Sequence, residues 1–318
     1  MIAGVSQFLY QLGANILDAS QHRTDPTRLF AANFALSLVM MLQTALYQFL
    51  RKECDAIITA YATLQKNASD PEAIHAIRVS VKKLRAFFSL VGQLPGYSFG
   101  AGKHLHTVRL IQTIGGAARD THLQEKYLRS YEKEIKWHFA FAHLLLQNRQ
   151  AAALEMMTAT IKHVSLKKLD TLPEKFKVAM AGMGKKMLSP TILTRYLEHQ
   201  YGQITVPSSR AHHTVWHGLR KKIKTLYYQL TIVEQLLPPS LTDNNLPERI
   251  KMAGELLGKW HDTSELLLFV KSTISHLKKE KLLLPDSAQE LVQILQLHVK
   301  EYLALCSMEV KHLQPSAS

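Results

Sequence analysis

Cysteine is almost absent: Cys54 and Cys306 are the only two in 318 residues. Two cannot build a disulfide framework or a four-cysteine zinc site, and a reducing, cytoplasmic compartment is the simplest setting. Glycine is scarce, 14 in all, and clustered at expected helix breaks, so no phosphate-cradling loop of the nucleotide-binding kind is present. No convincing stretch alternates apolar and polar residues as a half-buried strand does. The N-terminus, MIAGVSQFLYQLGANILDAS, lacks a positive n-region and makes a poor signal peptide. Carboxylates are in deficit, with 25 Asp and Glu against 39 Lys and Arg, a net charge of +14 before 16 histidines are counted. That balance favours an anionic partner: nucleic acid, an acidic membrane surface or a phosphorylated molecule. A merely basic soluble protein is the plainer alternative.

What is present is globular in composition, 47% hydrophobic and 20% charged. The length suits one large or two medium domains. Leu29 to Leu50 runs 22 residues without a charge, long enough to span a bilayer. Asn33, Ser37, Gln43, Thr44 and Gln48 interrupt it, so a buried first helix is expected and membrane contact is not.

The stretch Ile74 to Val91 organises the rest. Its apolar residues fall at Ile74, Ile77, Val81, Leu84, Phe88 and Val91, the stripe of a helix packed in a bundle. Beside it run His75, Arg78, Lys82 and Arg85, within an arc of roughly 80° and along an edge about 15 Å long. The only acid nearby is Glu72. From Trp216 to Val233 the pattern returns: His217, Arg220 and Lys224 repeat His75, Arg78 and Lys82 at an offset of 142 residues. At the same offset Arg109 meets Lys251, Gly116 meets Gly258, Arg119 meets His261, Asp120 meets Asp262 and Thr121 meets Thr263. One offset carrying so many pairs reads as two homologous halves.

The remaining periodicity predicts helices throughout. The first runs from about Pro26 to Asn67. Asp70 and Pro71 cap the organising helix, which ends near Leu94-Pro95-Gly96. A basic segment, Lys103 to Ile114, is broken or tightened by Gly115-Gly116, and Asp120 caps a helix to about Asn148. Ala151 to Val164 is a further helix, and Ser165 to Ser189 a basic connection. In the second half, Thr191 to Gln203, Trp216 to Val233 and Leu246 to Gly258 repeat the plan. Asp262 and Glu265 suggest a capping box opening a helix to Glu280, and a last helix covers Ser287 to about His312.

If the two basic helices face each other across a pseudo-twofold axis, their rows of cations form a channel or groove suited to a polyanion. Arginine offers a planar fork of donors to phosphate oxygens, and lysine a point charge. A row at i, i+3, i+7, i+10 reaches along a chain of charges rather than closing around one phosphate. A solvated basic face would not need to repeat its residue types by position. His213 with His217, and His104 with His106, have spacings that could hold zinc, but no acidic or cysteine ligand joins them and no metal set is assigned. Asp120 and Asp262 could serve as acid/base groups; a cap or a brace to a neighbouring arginine is the simpler role. Tyr227, Tyr228 and Trp260 could stack bases, though their helical spacing suits core or pore wall.

The segments HAIRVSVKKLRAFFSL, IGGAARDTHL, HGLRKKIKTLYYQL and LLGKWHDTSELL resemble the CHAD family, the conserved-histidine α-helical domain, over about residues 28 to 312. The resemblance implies an all-α fold of two pseudo-symmetric four-helix lobes around a basic pore or groove. Lobe one would span about 28–164 and lobe two about 172–312, with an N-terminal segment 1–27 and a tail 313–318. It implies binding of inorganic polyphosphate and association with polyphosphate granules, without catalysis or cofactor. By resemblance, His75, Arg78, Lys82, Lys83 and Arg85 line the site from the first half, and His217, Arg220, Lys221 and Lys224 from the second, with Arg109 and Lys251 as neighbours. Thr225 stands where Lys83 would repeat, Tyr227 where Arg85 would, and His261 replaces an arginine, so the second half is thinner in charge. No strand region with the Glu-x-Glu-x-Lys signature of the triphosphate-processing barrel often joined to this family stands in these 318 residues, so that activity is not expected of them. Two other readings stay open: a nucleic-acid binder, and a metal-dependent phosphohydrolase using the histidines with Asp120 or Asp262.

Overall fold

The computed structural model describes residues 26–183, 188–208, 211–242 and 245–314. The N-terminal segment apart from its last residues, the poor signal peptide with it, and the end of the tail lie outside the described residues. Among the described residues every regular element is a helix. In chain order these are α1 (Pro26–Lys66), α2 (Pro71–Val91), α3 (Ala101–Ile135), α4 (Ala140–His163), α5 (Lys167–Asp170), α6 (Leu172–Ala181), α7 (Pro190–Gly202), α8 (His213–Ile232), α9 (Pro239–Thr242), α10 (Leu246–Lys279) and α11 (Asp286–Leu313). The all-α expectation holds. No helix of the described residues is long and apolar enough to cross a membrane. The α1 residues Leu42, Leu46, Leu50, Ile57 and Leu64 instead face the core.

Local chemistry sets α2. Asp70 is its N-cap, with Oδ1 accepting from the Ala73 backbone N–H at 2.8 Å, and Pro71 opens the first turn. After Val91 the chain leaves through two tight turns, and Gly96 at φ 71° supplies the left-handed residue that only glycine takes without strain. The buried face is wider than the expected stripe. Phe87 is fully buried, stacked on Phe49 and edge-on to Phe176, while Phe88 is only half-buried. The reason is that α2 packs on three sides, against α1, α3 and α8. A helix with three neighbours has little surface left for solvent, and the cationic edge occupies that remainder.

Two expected breaks do not occur. α3 runs without interruption through Gly115-Gly116 and past Asp120, and α10 runs through Gly258 and Asp262. Neither aspartate caps a helix. The glycines of α3 are sites of close approach. A Cβ on Gly115 would stand 3.0 Å from Ile74 Cγ2 and 3.2 Å from Met157 Cε, and one on Gly116 only 2.5 Å from Arg78 Nη1. The helical cost of glycine, about 1 kcal/mol per residue, is outweighed by the packing that its missing side chain allows. α3 ends at Ile135 rather than near Asn148, because Lys136 takes the left-handed conformation at φ 53° and turns the chain into α4. α4 accordingly starts eleven residues before the expected Ala151.

The packing order is the same in both halves. α2 lies between α1 and α3, and α3 packs on α4; α8 lies between α7 and α10, and α10 packs on α11. The halves meet along α2 and α8, with α3 also touching α10 and α11. A buried bond ties the meeting helices, Gln229 Nε2 donating to the Ala86 carbonyl at 3.2 Å. The main hydrophobic core runs continuously from Leu42 to Leu313 and draws on both halves. A second cluster, around Leu128, Leu146, Phe269 and Leu291, binds α3 and α4 to α10 and α11.

Candidate functional site

The cationic edges of α2 and α8 open into one cleft of about 990 Å³, whose remaining walls are α3 and α10. Eight of the eleven sequence-predicted residues line it: His75, Arg78, Lys82 and Arg85 from α2, and His217, Arg220, Lys221 and Lys224 from α8. The other three sit elsewhere. Lys83 turns from the cleft to pair with the buried carboxylate of Glu53 at 2.8 Å. Arg109 is exposed on α3 and lies outside the cleft lining, which on that helix begins at Gln112. Lys251 pairs with Glu248 at 3.1 Å on the exposed start of α10.

Arg119, Gln124, Tyr127, Tyr228 and Glu265 line the cleft without having been assigned to the site, as do His261, Asp120 and Asp262. The 142-residue offset held the signal for several of them. Besides the basic rows, Val79 and Lys221, Ala86 and Tyr228, Arg119 and His261, Asp120 and Asp262, and Leu123 and Glu265 are lining pairs at that spacing. The lining pairs at this offset agree in chemistry along the basic rows and at Asp120 and Asp262 and differ elsewhere, Ala86 corresponding to Tyr228.

Seven Lys and Arg side chains against three carboxylates line the cleft. Part of the charge is braced internally. Arg78 donates from Nη2 to Asp120 Oδ1 at 3.3 Å and from Nη1 to the Gln112 carbonyl at 3.4 Å. Asp120 thus takes the brace role, and Asp262 lies 3.2 Å from His261 Nδ1. The rest is crowded. Burial, reinforced by Arg78, Arg220 and Lys224, pushes the Lys82 ammonium down to about 8. Burial and Arg220 lower Lys224 as well. His217 is held at about 4, by burial first and then by His261, Lys221 and Arg220, and burial and Arg119 lower His75. Arg220 Nε and His217 Nδ1 are buried without a hydrogen-bond partner. Buried polar atoms of this kind are costly unless a hydrogen-bond partner reaches them. An anion in the cleft would accept from Arg220 Nε and restore the depressed lysines to full charge.

The competing chemistries find less support. Trp260 is buried against Trp216 and His213 and offers no face for a base. His213 and His217 stand with ring centroids 6.5 Å apart, and among the described residues they belong to no convergent metal-ligand group. His104 stacks on Phe99 while His106 is exposed.

Comparison with known proteins agrees with this architecture. The family model described as CHAD domain matches residues 49–270. The chain is similar in structure to the CHAD domain from the plant Ricinus communis, with 17% identity, TM-score 0.58, and coverage of 85% of this chain and 91% of that one. It is also similar to PptA from Streptomyces chartreusis, at 14% identity and TM-score 0.56, covering 85% of this chain and 98% of that one. No curated protein matches the sequence.

Proposed function

The chain belongs to the CHAD domain family, and from the cleft between its two basic helices we propose that it binds linear inorganic polyphosphate without transforming it. The observation that carries this reading is the crowding of cations on both walls. Burial and the neighbouring Arg220 lower both Lys82 and Lys224, and no carboxylate is paired to any of the three among the described residues. A ligand with closely spaced negative charges relieves both lysines together. An extended cleft suits a polymer better than a single phosphate, so affinity should rise with chain length. The reading is non-catalytic because Asp120 is engaged with Arg78, and Asp262 lies against His261. Such a module would reside on polyphosphate granules in the cytoplasm.

The test is binding of the purified protein to medium-chain polyphosphate across a salt series, with single-stranded RNA as competitor. Tight, salt-sensitive binding that RNA barely displaces supports the reading. Equal displacement by RNA at matched phosphate concentration would make the cleft a general polyanion site. Phosphate release that depends on added divalent metal would make it a hydrolase.

A further inference from the structure

Away from the cleft, the junction of α3 and α4 gathers a second set of polar side chains. Glu132 ends α3, His138 lies in the connecting turn, and His143 sits in the first turns of α4. His143 and Glu132 are buried; the His138 side chain is 64% exposed. One ligand atom from each, Glu132 carboxylate, His138 ring nitrogen and His143 ring nitrogen, falls within 4.8 Å of the other two.

We propose that this corner binds a divalent transition metal of the zinc class. His143 Nε2 stands 2.8 Å from both Glu132 oxygens, and His138 Nδ1 stands 3.3 Å from Glu132 Oε2. A tetrahedron with metal bonds of about 2.0 Å has edges of roughly 3.3 Å, so the three groups need only small adjustments to share one ion. Their orientation is already supported. Glu125 Oε2 lies 2.8 Å from His143 Nδ1, and Arg129 in turn holds Glu125 at 2.7 Å. That is the carboxylate–histidine pairing that fixes the tautomer of a metal-bound imidazole and aims its other nitrogen at the ion. Glu132 Oε1 accepts from the Phe139 backbone N–H at 2.6 Å, which pins the carboxylate and leaves Oε2 toward the histidines.

Without metal, both nitrogens of His143 face carboxylates. A metal ion takes the place of the Nε2 proton. Two imidazoles and one carboxylate suit zinc and its transition-metal neighbours, and exclude magnesium and calcium, which take oxygen ligands. Three protein ligands leave a fourth position for water. Because the two histidines follow the turn at Lys136, the ion would clasp α4 to α3.

The experiment uses tag-free, chelator-treated full-length protein, titrated with Zn2+ by calorimetry and with Co2+ by visible absorption. One equivalent should bind, Co2+ should show the bands of a four-coordinate site, and Zn2+ should raise the melting temperature. His138→Ala removes an exposed ligand that the fold does not need, and it should weaken binding more than about a hundredfold, beyond the effect of losing a supporting group. Glu125→Gln should weaken it by about 10- to 100-fold. Binding left unchanged by His138→Ala would assign the metal to other histidines and overturn the proposal, as would the absence of a stoichiometric site. Polyphosphate affinity is not part of the readout, so this result stands apart from the fate of the cleft.

Discussion

The cleft and the α3–α4 corner are built from the same residue types in opposite states of balance. In the corner, His143 lies between two carboxylates, Glu125 is held by Arg129, and Glu132 receives a backbone N–H. In the cleft, seven Lys and Arg face three carboxylates, and the buried Arg220 Nε and His217 Nδ1 lack hydrogen-bond partners. A balanced cluster keeps its geometry alone and has room only for something that replaces a proton. An unbalanced one is held open against its own repulsion by the surrounding packing. The energy so stored would be returned if an anion bound, which is why imbalance, more than net charge, points to the cleft as the proposed ligand site.

The largest effect should come from removing the imbalance. Changing Arg78, Lys82, Arg220 and Lys224 together to Ala should cost about 6 kcal/mol of polyphosphate binding, taking about 1.5 kcal/mol per charged hydrogen bond, or roughly 10⁴-fold. The slope of log affinity against log salt should become shallower by about three. Circular dichroism should show the helices retained, because these side chains crowd one another and hold no core. Wild-type affinity in the quadruple variant would remove the cleft from consideration.

Next comes a pair of neighbours in the sequence. Lys83→Ala strands the buried carboxylate of Glu53 and should cost about 3 kcal/mol of stability, since removing one partner of a buried pair leaves an uncompensated charge. Polyphosphate affinity should not change. Lys82→Met should do the reverse, weakening binding and raising the melting temperature of the free protein. Denaturant titration and binding on both variants check the contrast, and similar behaviour of the two would break it.

Lys82 and Lys83 also show where sequence reasoning reached and where it stopped. The limits of α2, its cap and its cationic edge follow from local chemistry, and Asp70, Pro71 and the stripe from Ile74 state them. Lys83 is one residue, or 100°, from Lys82, and only the presence of Glu53 across from it decides which way it turns. Gly115 and Gly116 read as a break because their effect on an isolated helix is unfavourable. Their actual role depends on Ile74 and Arg78, which lie some forty residues away in sequence. Arg119 and His261 were within reach, since the offset that paired the basic rows pairs them too. The corner at Glu132, His138 and His143 was not, because the spacing spans a helix end whose position depended on Lys136.

The pH dependence should be smaller. The folded Lys82 loses its proton near 8, while the unfolded chain holds it to about 10.5. Between those values the unfolded state binds more protons, so stability of the free protein should rise as pH rises from about 8 to 10.5. Polyphosphate binding needs the ammonium and should weaken over the start of the same window. In Lys82→Met both slopes should flatten. Calorimetric melting and binding at a series of pH values measure the two together, and a wild-type affinity that holds steady past pH 9 would mean that Lys82 makes no contact with the ligand.

The smallest effect sharpens the comparison within the cleft. Gly116 and Gly258 occupy matched positions in the two halves, yet a Cβ at Gly116 meets Arg78 Nη1 at 2.5 Å while one at Gly258 meets nothing within 4 Å. Gly258→Ala should therefore only add helix propensity, stabilising by up to about 1 kcal/mol with binding unchanged. In Gly116→Ala the guanidinium at the end of its flexible side chain must move off the Gln112 carbonyl and away from Asp120. That should lower polyphosphate affinity about fivefold, near 1 kcal/mol, while the helix gains as much as it does in the second half. A like response from both glycines would mean that Arg78 binds from wherever it is pushed. An unlike one would show that its position, held by Asp120 and by the missing side chain at Gly116, is part of the site.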